Sequence, residues 1–406
     1  MLRTERYRPS VHRTTIIALI LALAAVVSAC TRSVDGIPVV PEPPIRTTTT
    51  LPMPAVDPLV SIESFEIATD LEHPVAIAST KALDGVFVAE RVGRIVHVTD
   101  SDQSVVMDIT ARIGWQHHEQ GLLGMAFHPR FPDDPRLFLT YTNLDEDLVL
   151  ASFTWAGTRF DITSEEPLLT VPQPHFYHQG GHVTFGPRGL LWATFGDGGG
   201  IGDRYGNGQN TETLNGTVIR IDIDGGKPYA VPETNPFIEG EGAPEIWAWG
   251  LRNPWRIAVD DAFVVIADVG QEGADEIDVV PTDEPGHNFG WPIMEGFSCY
   301  EGTSCDTSGF TLPAFEIDRE DSCAVIGGPV YRGSAIPEMY GHAVWGDFCH
   351  GWLHSAPLTV DGLGPEVRWE PFIESLGNIT TFGVDADGEL VVAVLDGSVY
   401  RLVPVR

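Results

Sequence analysis

The chain has 406 residues, with 57 acidic and 24 basic side chains and a formal net charge of −33. This length suits one large all-β domain or two ordinary domains, and a hydrophobic content of 43% supplies a packed core and excludes wholesale disorder. A surface this acidic repels phosphate backbones, which excludes nucleic acid as a partner.

The start of the chain has the pattern of an export signal. Four arginines precede a short apolar run at residues 16–27, and small residues lead up to Cys30. The run is shorter than the roughly 20 apolar residues that span a bilayer. This pattern predicts a signal peptide at residues 1–29. Its Val-Ser-Ala-Cys ending resembles the bacterial lipobox, which implies that Cys30 is lipidated. A buried core helix is the alternative interpretation.

The segment at residues 30–58 is rich in proline and threonine, with a run of threonines at 47–50. It holds too little apolar area to offset its ordering entropy, so it is predicted to be a disordered, extended tether. We therefore expect a folded part at residues 59–406 that lies outside the cytoplasm. The lipid on Cys30 would attach it to the cell membrane.

The folded part repeats one module, in which an apolar strand, a turn and a second apolar strand follow each other. Copies begin at Ala76, Ala126, Val183, Ile257, Val330 and Phe382. Repeats of about 40–70 residues with turn-rich hairpins predict an all-β, six-bladed β-propeller with about four strands in each blade. A β-sandwich is the alternative, but it needs fewer strands. We expect the strands after Ser398 to share a blade with the segment near Ser61 and so to close the ring.

Four cysteines follow Cys30: Cys299, Cys305, Cys323 and Cys349. An even number in an exported chain indicates disulfides, and four cysteines allow three pairings. We favour Cys299 with Cys305, which closes a short polar loop, and Cys323 with Cys349. A zinc site is the alternative, although the usual paired C-x2-C spacing is missing.

The densest polar segment, residues 175–182, reads HFYHQGGH and lies just before a strong hairpin. His178 is a candidate general base, and the two glycines after Gln179 allow a ligand to approach the backbone closely. A loop histidine satisfied by the backbone is the other interpretation. A metal site built from H-x2-H-x3-H is less favoured, because three such residues on a strand point in different directions.

Three further segments contain polar side chains that bind ligands or stabilise turns. The GDGGG sequence at residues 196–200 lacks the helix and Lys-Ser/Thr of a phosphate-binding loop, so we interpret it as a loop between blades in which Asp197 caps backbone amides. Arg252 and Asn253 offer donors for a carbonyl- or carboxylate-rich ligand. An acidic loop at residues 268–276 offers oxygen ligands for calcium, although solvated acids are the commoner explanation.

Seven segments together resemble the PQQ-dependent soluble glucose/sorbosone dehydrogenase family. They appear in the family's order and cover most of residues 70–400: GLLGMAFHPRF from Gly121, HQGGHVTFGPRGLLW from His178, GDGGG from Gly196, NGTVIRIDIDG from Asn215, EIWAWGLRNPWR from Glu245, DVGQEGADEID from Asp268 and HNFGWP from His287. The resemblance implies a six-bladed propeller with a funnel on one face. It also implies oxidation of a sugar hydroxyl with PQQ and calcium, by a protein that passes electrons to an acceptor the sequence does not identify.

The resemblance assigns roles to particular residues. His178 matches the general base, which removes the hydroxyl proton while hydride passes to the quinone. Arg252 and Asn253 match residues that contact the quinone. The backbone carbonyls of Gly270 and Gln271 match the calcium ligands. Glu119 and its neighbour Gln120 fall near a position whose side chain lies close to the sugar in the family.

The sequence also departs from the family pattern. Cys349 stands where PQQ-using members have a lysine, and Asn378 and Thr380 stand where they have two arginines. PQQ has three carboxylates, so the loss of three cations weakens its binding. Arg256, Arg332 and His350 would replace these cations only if they face the funnel. The alternative function is a non-catalytic propeller that binds carbohydrate or protein, as in the hedgehog-interacting-protein branch.

Overall fold

The recurring apolar strands and glycine-rich turns fold into six antiparallel sheets set in a ring. The structure is a computed structural model that describes residues 57–406. The predicted signal peptide, the lipidated Cys30 and nearly all of the tether lie outside the described residues. The helical elements of the described part are three short 3-10 turns: Thr110–Arg112, Pro187–Gly189 and Pro337–Met339.

The first half of the propeller contains fourteen strands. In chain order they are β1 (Ser61–Ala68), β2 (Pro74–Thr80), β3 (Leu83–Glu90), β4 (Arg94–Val98), β5 (Gln103–Asp108), β6 (Leu122–Phe127), β7 (Arg136–Thr142), β8 (Leu148–Trp155), β9 (Phe160–Val171), β10 (Gly180–Phe185), β11 (Leu191–Phe195), β12 (Thr217–Ile221), β13 (Ile246–Trp249) and β14 (Pro254–Val259). Blade 1 is β2–β5, blade 2 is β6–β9, and blade 3 begins with β10–β13.

The second half continues in the same way. Its strands are β15 (Phe263–Asp268), β16 (Ala274–Pro281), β17 (His287–Asn288), β18 (Met294–Glu295), β19 (Ser298–Cys299), β20 (Phe315–Asp318), β21 (Val325–Val330), β22 (His342–Asp347), β23 (Leu353–Thr359), β24 (Gly362–Leu363), β25 (Val367–Arg368), β26 (Ile379–Val384), β27 (Leu390–Val394) and β28 (Val399–Val405). Blade 4 is β14–β15–β16–β20, blade 5 is β21–β25, and β17 adds a parallel edge strand to blade 3.

The innermost strands of the six blades line a central channel. Each contacts the next around the ring, in the order β2, β6, β10, β14, β21 and β26, and β26 returns to β2. Blade 6 is completed by the first strand of the described residues, because β1 pairs with β28 from Ser61 opposite Val405 to Ala68 opposite Val399. The predicted six-bladed propeller and its ring closure are therefore confirmed.

Apolar side chains fill the space between neighbouring blades. The buried residues form six clusters, and each cluster joins one blade to the next. Between blades 1 and 2, for example, the rings of Phe87 and Phe127 meet edge-on at 4.9 Å. Because burial of each such side chain contributes about 1.5–3 kcal/mol, this packing makes the ring a rigid frame for the loops at its two ends.

The antiparallel order of the strands decides which loops share a face of the ring. The residues before each inner strand and the turns between the second and third strands of each blade come out at the same end of the channel; we call this end the site mouth. The opposite end, the far mouth, opens into a cavity of about 410 Å³ lined by the later residues of the inner strands. No helix in residues 57–406 has the length and apolar character needed to cross a bilayer.

Candidate functional site

His178 and Asp197 form a buried pair at the site mouth. Nδ1 of His178 lies 2.7 Å from Oδ1 of Asp197, and the two side chains are 10% and 0% exposed. An ionised carboxylate only accepts hydrogen bonds, so Nδ1 carries the proton and Nε2 keeps its lone pair. No hydrogen bond from residues 57–406 reaches that Nε2. An imidazole with a fixed tautomer and a free Nε2 has the properties of a general base.

The loop with Asp197 does more than the sequence predicted. Oδ1 of Asp197 accepts the N–H of Gly199 at 2.8 Å, which is the expected capping of a backbone amide. Its other oxygen, Oδ2, accepts the indole N–H of Trp291 at 2.8 Å. The placement of residues 196–200 between blades was wrong, because they join β11 to β12 within blade 3. That position brings Asp197 to the same mouth as His178.

The backbone at His178 is held in an unusual conformation. Its φ is +56°, in the left-handed region that non-glycine residues rarely adopt. Oε2 of Glu119 accepts the N–H of His178 at 2.8 Å and that of Gln179 at 3.3 Å. A Cβ on Gly196 would lie 2.0 Å from the carbonyl oxygen of His178, so only glycine fits there. These neighbours fix the direction of the imidazole.

Arg252 and Asn253 immediately precede β14, the first strand of blade 4, and lie beside this pair. Their backbone N–H groups donate to the carboxylate of Asp268 at 2.8 and 2.6 Å. Burial raises the pKa of Asp268 to about 7, against the opposing effect of these two bonds. The Asn253 amide is engaged within the protein: Oδ1 accepts the N–H of Gly180 at 3.1 Å, and Nδ2 donates to Glu119 at 3.1 Å. Asn253 thus joins blades 2, 3 and 4 at the mouth.

The Arg252 guanidinium lies against an aromatic ring that also contacts Asp197 of blade 3. It lies 5.6 Å from the ring centre of Trp291, the same tryptophan that holds Asp197. Its Nη1 donates to the carbonyl oxygen of Val269 at 2.7 Å. Burial lowers the pKa of Arg252 from its usual high value. The guanidinium is therefore desolvated and fixed within one cluster that also contains the histidine–aspartate pair.

Three buried polar atoms around His178 have no partner in the described protein. They are Nε of Arg252, Oε1 of Gln179 and Nε2 of Gln120. A buried polar group without a hydrogen bond costs about 1–3 kcal/mol, so these atoms are candidate contacts for water or for a ligand. Gln120 is 1% exposed. Its predicted substrate contact, and that of Glu119, stay predictions, whereas the contacts of Glu119 with His178 and Asn253 are structural facts.

The predicted calcium ligands, the carbonyls of Gly270 and Gln271, face a guanidinium. Nη2 of Arg319 donates to the Gly270 carbonyl oxygen at 2.6 Å and approaches that of Gln271 at 3.4 Å. Nη1 of Arg319 donates to the carbonyl of Cys323 at 2.6 Å and pairs with Asp275 at 3.0 Å. These residues do not fit a calcium ion bound to the same carbonyls, because a positive group already lies against them.

The wall of the mouth opposite His178 is crosslinked by a disulfide. Cys323 and Cys349 form a disulfide, as do Cys299 and Cys305, which is the pairing that the sequence favoured. The bridges exclude zinc ligation by these four cysteines. Asn378 donates to the Phe348 carbonyl at 2.9 Å. The hydroxyl of Thr380 donates to the carbonyl of Pro74 at 2.6 Å. None of the three positions that differ from the family supplies a cation.

Two of the three alternative cations belong to the other end of the channel. Arg256 and Arg332 line the cavity at the far mouth. Arg256 donates to backbone carbonyls and to Thr381, and burial lowers its pKa to about 9. Arg332 pairs with Asp260. His350, whose side chain is 52% exposed, lies in the turn after β22 and pairs with the buried Asp347 at 2.6 Å.

The three histidines of the 175–182 segment have separate partners. Nδ1 of His175 accepts the N–H of Tyr177 at 3.3 Å, and Nδ1 of His182 accepts that of Ile257 at 3.1 Å. His178 alone pairs with an acid. The H-x2-H-x3-H metal site is therefore not formed.

The described residues contain one group with metal-ligand character, in the loops of blades 2 and 3 on the side of the far mouth. Its ligand atoms, from His128, Asp134 and Asp224, lie within 4.8 Å of one another. The arginines Arg130 and Arg136 pair with both acids at 2.6–3.6 Å. The acids are thus already neutralised by side-chain cations.

The histidine–aspartate pair, the desolvated arginine and the unpartnered polar atoms define a class of protein: a six-bladed propeller with a polar reaction or binding site at one end of its channel. The model of the Glucose / Sorbosone dehydrogenase family matches residues 71–401, and the chain belongs to this family. The matched range includes all seven segments that resembled this family in the sequence.

The relatives include both dehydrogenases and proteins with other names. The HIPL1 protein of Arabidopsis thaliana is 30% identical over 75% of this chain and 56% of its own length. Aldose sugar dehydrogenase YliI of Escherichia coli is 27% identical over 66% of this chain and 73% of its own. The mouse Hedgehog-interacting protein is 26% identical over 80% of this chain and 49% of its own. The chain thus spans about half the length of the plant and animal relatives.

Solved structures share the fold. The PQQ-bound aldose sugar dehydrogenase of Streptomyces coelicolor superposes with a TM-score of 0.68 at 21% identity, over 85% of this chain and 98% of the other. A glucose dehydrogenase described as a putative oxidoreductase from Thermus thermophilus gives a TM-score of 0.69 at 24% identity, over 84% and 100% of the two chains. At this level of identity the likeness shows the fold alone.

Proposed function

We propose that this protein is an oxidoreductase that oxidises a hydroxyl group of an aldose sugar, with PQQ as its cofactor. The observation that supports this most directly is the His178–Asp197 pair, buried at the site mouth with Nε2 of the histidine free. Family membership and the relatives named as aldose sugar dehydrogenases support this chemistry. The sugar and the final electron acceptor are not part of the proposal.

The protein's own contribution to the reaction is proton transfer. Nε2 of His178 takes the hydroxyl proton as the C–H hydride leaves, and the adjacent Asp197 carboxylate stabilises the imidazolium that forms. Trp291 holds the second oxygen of Asp197, so the carboxylate cannot turn away from the imidazole. Glu119 holds the backbone of His178, which keeps Nε2 directed at the mouth.

The residues of this wall fit PQQ. Nε of Arg252 is a buried donor with no partner, which suits the carbonyl or carboxylate oxygen of a quinone. Arg252 would hold the quinone, and Asn253 would act mainly by fixing Glu119 and the backbone of residue 180. When bound, PQQ supplies the two-electron acceptor for the hydride. Calcium is left out of this proposal, because the Gly270 and Gln271 carbonyls already bind Arg319.

We propose further that the protein works outside the cytoplasm. Its two disulfides suit an oxidising compartment. The N-terminal pattern that ends at Cys30 suits export followed by lipid attachment to a membrane. A lipid-anchored oxidoreductase is well placed to pass electrons to a membrane acceptor.

A non-catalytic binding propeller is the second candidate. It is favoured by the closed wall, where a disulfide, Asn378 and Thr380 stand at positions that the family resemblance gave to cations. It also agrees with the match to the Hedgehog-interacting protein. Under this proposal the mouth binds a carbohydrate or a protein, and His178 takes part in recognition.

Titration of the purified full chain with PQQ separates the two candidates. Binding is measured by calorimetry and by quinone absorbance, first without and then with an aldose panel and a redox dye. We expect one PQQ per chain with a dissociation constant of about 1 µM or lower, near −8 kcal/mol of binding free energy, and dye reduction with at least one sugar. Absence of binding at about 100 µM PQQ, where only affinities weaker than about −5.5 kcal/mol escape detection, would overturn the dehydrogenase proposal.

A further inference from the structure

The loop after β15 surrounds a positive side chain with oxygen atoms. Four oxygens lie within 2.6–3.4 Å of the Arg319 guanidinium: the carbonyls of Gly270, Gln271 and Cys323 and the carboxylate of Asp275. Asp275 is fully buried. Carbonyl and carboxylate oxygens that converge from separate loops form the ligand set that hard cations use. The occupant here is a guanidinium belonging to the chain itself.

The pocket is built for this occupant and cannot easily rearrange. A Cβ on Gly270 would lie 1.8 Å from the carbonyl oxygen of Ala274, so the loop needs glycine at that point. Oδ1 of Asp275 also accepts the Gly270 N–H at 2.9 Å, and its Oδ2 accepts the hydroxyl of Ser322 at 2.6 Å. Arg319 itself is only 24% exposed. The donors and acceptors around the guanidinium are thus matched.

We propose that Arg319 takes the place of a metal ion at this site, so that the mouth has a permanent cation and binds its ligand without calcium. The geometry of the neighbouring carbonyls supports this role. Arg319 donates to the Gly270 carbonyl, and Arg252 donates to the carbonyl of Val269. The two guanidinium groups therefore bind consecutive carbonyl groups of one loop. Burial is the main cause of the lowered pKa of Arg252, and the charge of Arg319 adds a small effect in the same direction.

Two adjacent guanidinium groups define the class of ligand. One partly exposed cation beside a buried one, with a free N–H on Arg252, suits a planar anion with oxygen acceptors, such as a quinone carboxylate or a sugar acid. The choice of PQQ among these anions rests on the proposed function. The replacement of the metal by Arg319 does not rest on it, because it follows from contacts within the protein.

Ion binding tests the replacement directly. Terbium luminescence and thermal unfolding with EDTA or millimolar calcium are measured for the wild type, for Arg319→Ala and for Arg368→Ala, a matched control at an exposed arginine on β25. We expect Arg319→Ala to bind one ion more per chain than the wild type and to become stabilised by calcium, because its four oxygens are then free. Arg368→Ala should behave as the wild type does. Equal ion binding by Arg319→Ala and the wild type would overturn the inference.

PQQ titrations with EDTA and with calcium provide the second readout. Wild-type affinity should change less than about 3-fold, or 0.7 kcal/mol, between the two conditions. Arg319→Ala should bind PQQ only when calcium is present. A wild type that needs calcium for PQQ would overturn the inference, even if Arg319→Ala fails to fold. If the wild type binds no PQQ in either condition, the proposed function fails and the ion counts alone decide the role of Arg319.

Discussion

The two walls of the site mouth satisfy their polar groups in opposite ways. On the wall of blades 3 and 4, Arg252 and Gln179 retain buried polar atoms with no partner, beside the free Nε2 of His178. On the wall of blades 5 and 6, the buried Asp347 accepts N–H groups from both sides of the Cys323–Cys349 disulfide. A wall that completes its own hydrogen bonds has no need of a ligand, whereas one that leaves a donor and an acceptor unmatched has groups that a ligand can satisfy.

Loss of the proposed general base on the wall of blades 3 and 4 should have the largest effect on activity. His178→Gln removes the proton acceptor and should lower kcat for sugar oxidation by about 10²–10⁴-fold, the usual range for general-base catalysis. PQQ affinity should change little, because the imidazole is not among the groups that hold the cofactor. Steady-state dye reduction and calorimetry provide the two readouts. His97→Gln, on β4 of blade 1, is the matched control and should retain activity. Retained turnover in His178→Gln would remove this residue from the mechanism.

Asp197→Asn should have the next largest effect. The amide can donate to Nδ1, which favours the tautomer with the proton on Nε2, so kcat should fall about 10–100-fold with little change in KM. The ¹⁵N chemical shifts of the His178 ring, assigned by comparison with His178→Gln, should change from the Nδ1–H to the Nε2–H pattern. A loss of activity with an unchanged tautomer would mean that Asp197 acts only through packing.

A cation placed on the wall of blades 5 and 6 should give that wall a group that binds the ligand. Cys323→Ala/Cys349→Lys should bind PQQ about 10-fold more tightly than Cys323→Ala/Cys349→Ala, which equals 1.4 kcal/mol. Both double variants should unfold about 5–10 °C below the wild type, because each loses a bridge across a 26-residue separation. Differential scanning fluorimetry measures this cost. Equal PQQ affinity in the two variants would show that position 349 does not face the ligand.

The smallest expected effect concerns two acids buried in β16 of blade 4. Burial raises the pKa of Glu276 to about 8 and that of Asp278 well above its usual value, and neither oxygen of Asp278 has a partner in the described protein. The unfolded chain ionises these groups near pH 4, so between about pH 4 and 8 the folded state binds more protons and stability falls as pH rises.

Asp278→Asn removes one of the two acids whose protonation is coupled to folding. Its unfolding temperature should exceed that of the wild type by about 2–4 °C at pH 8 and differ little at pH 4.5. Thermal unfolding measured from pH 4 to 9 gives both curves, with Glu66→Gln as a control at an exposed acid of β1. Parallel curves for Asp278→Asn and the wild type would contradict the assignment of raised proton affinity to this residue.

The fold was predictable because its signals are local. Hairpins that begin at positions such as Ala126 and Val183 alternate apolar strands with turn residues, and each copy folds into the first two strands of a blade. The disulfide pairing followed from parity and loop length. The closure of the ring followed from the need to complete a blade with strands left over at the two ends.

The site was only partly predictable, because its contacts join distant loops. His178, Arg252 and Asn253 stood out as motif residues, but the role of Asp197 depends on a turn that emerges beside His178 only in the folded blade. Glycines on either side of a buried aspartate were the available signal. Arg319 lies 49 residues from Gly270 in a segment without a motif, and its sequence neighbours suggest a solvated arginine. Arg256 and Arg332 could not be assigned to a mouth until the strand directions were known.

The pairing of β1 with β28 has a consequence for the order of events during synthesis. The first strand of the described residues, which begins at Ser61, has no partner in its blade until β28, which ends at Val405, has been added. Until then its edge is open, and the non-local pairing is among the slowest steps of folding. A chain that stops before β28 leaves blade 6 incomplete and the channel unsealed. Closure of the ring therefore distinguishes chains that contain β28 from chains truncated before it, which retain an unpaired strand edge open to aggregation and proteolysis.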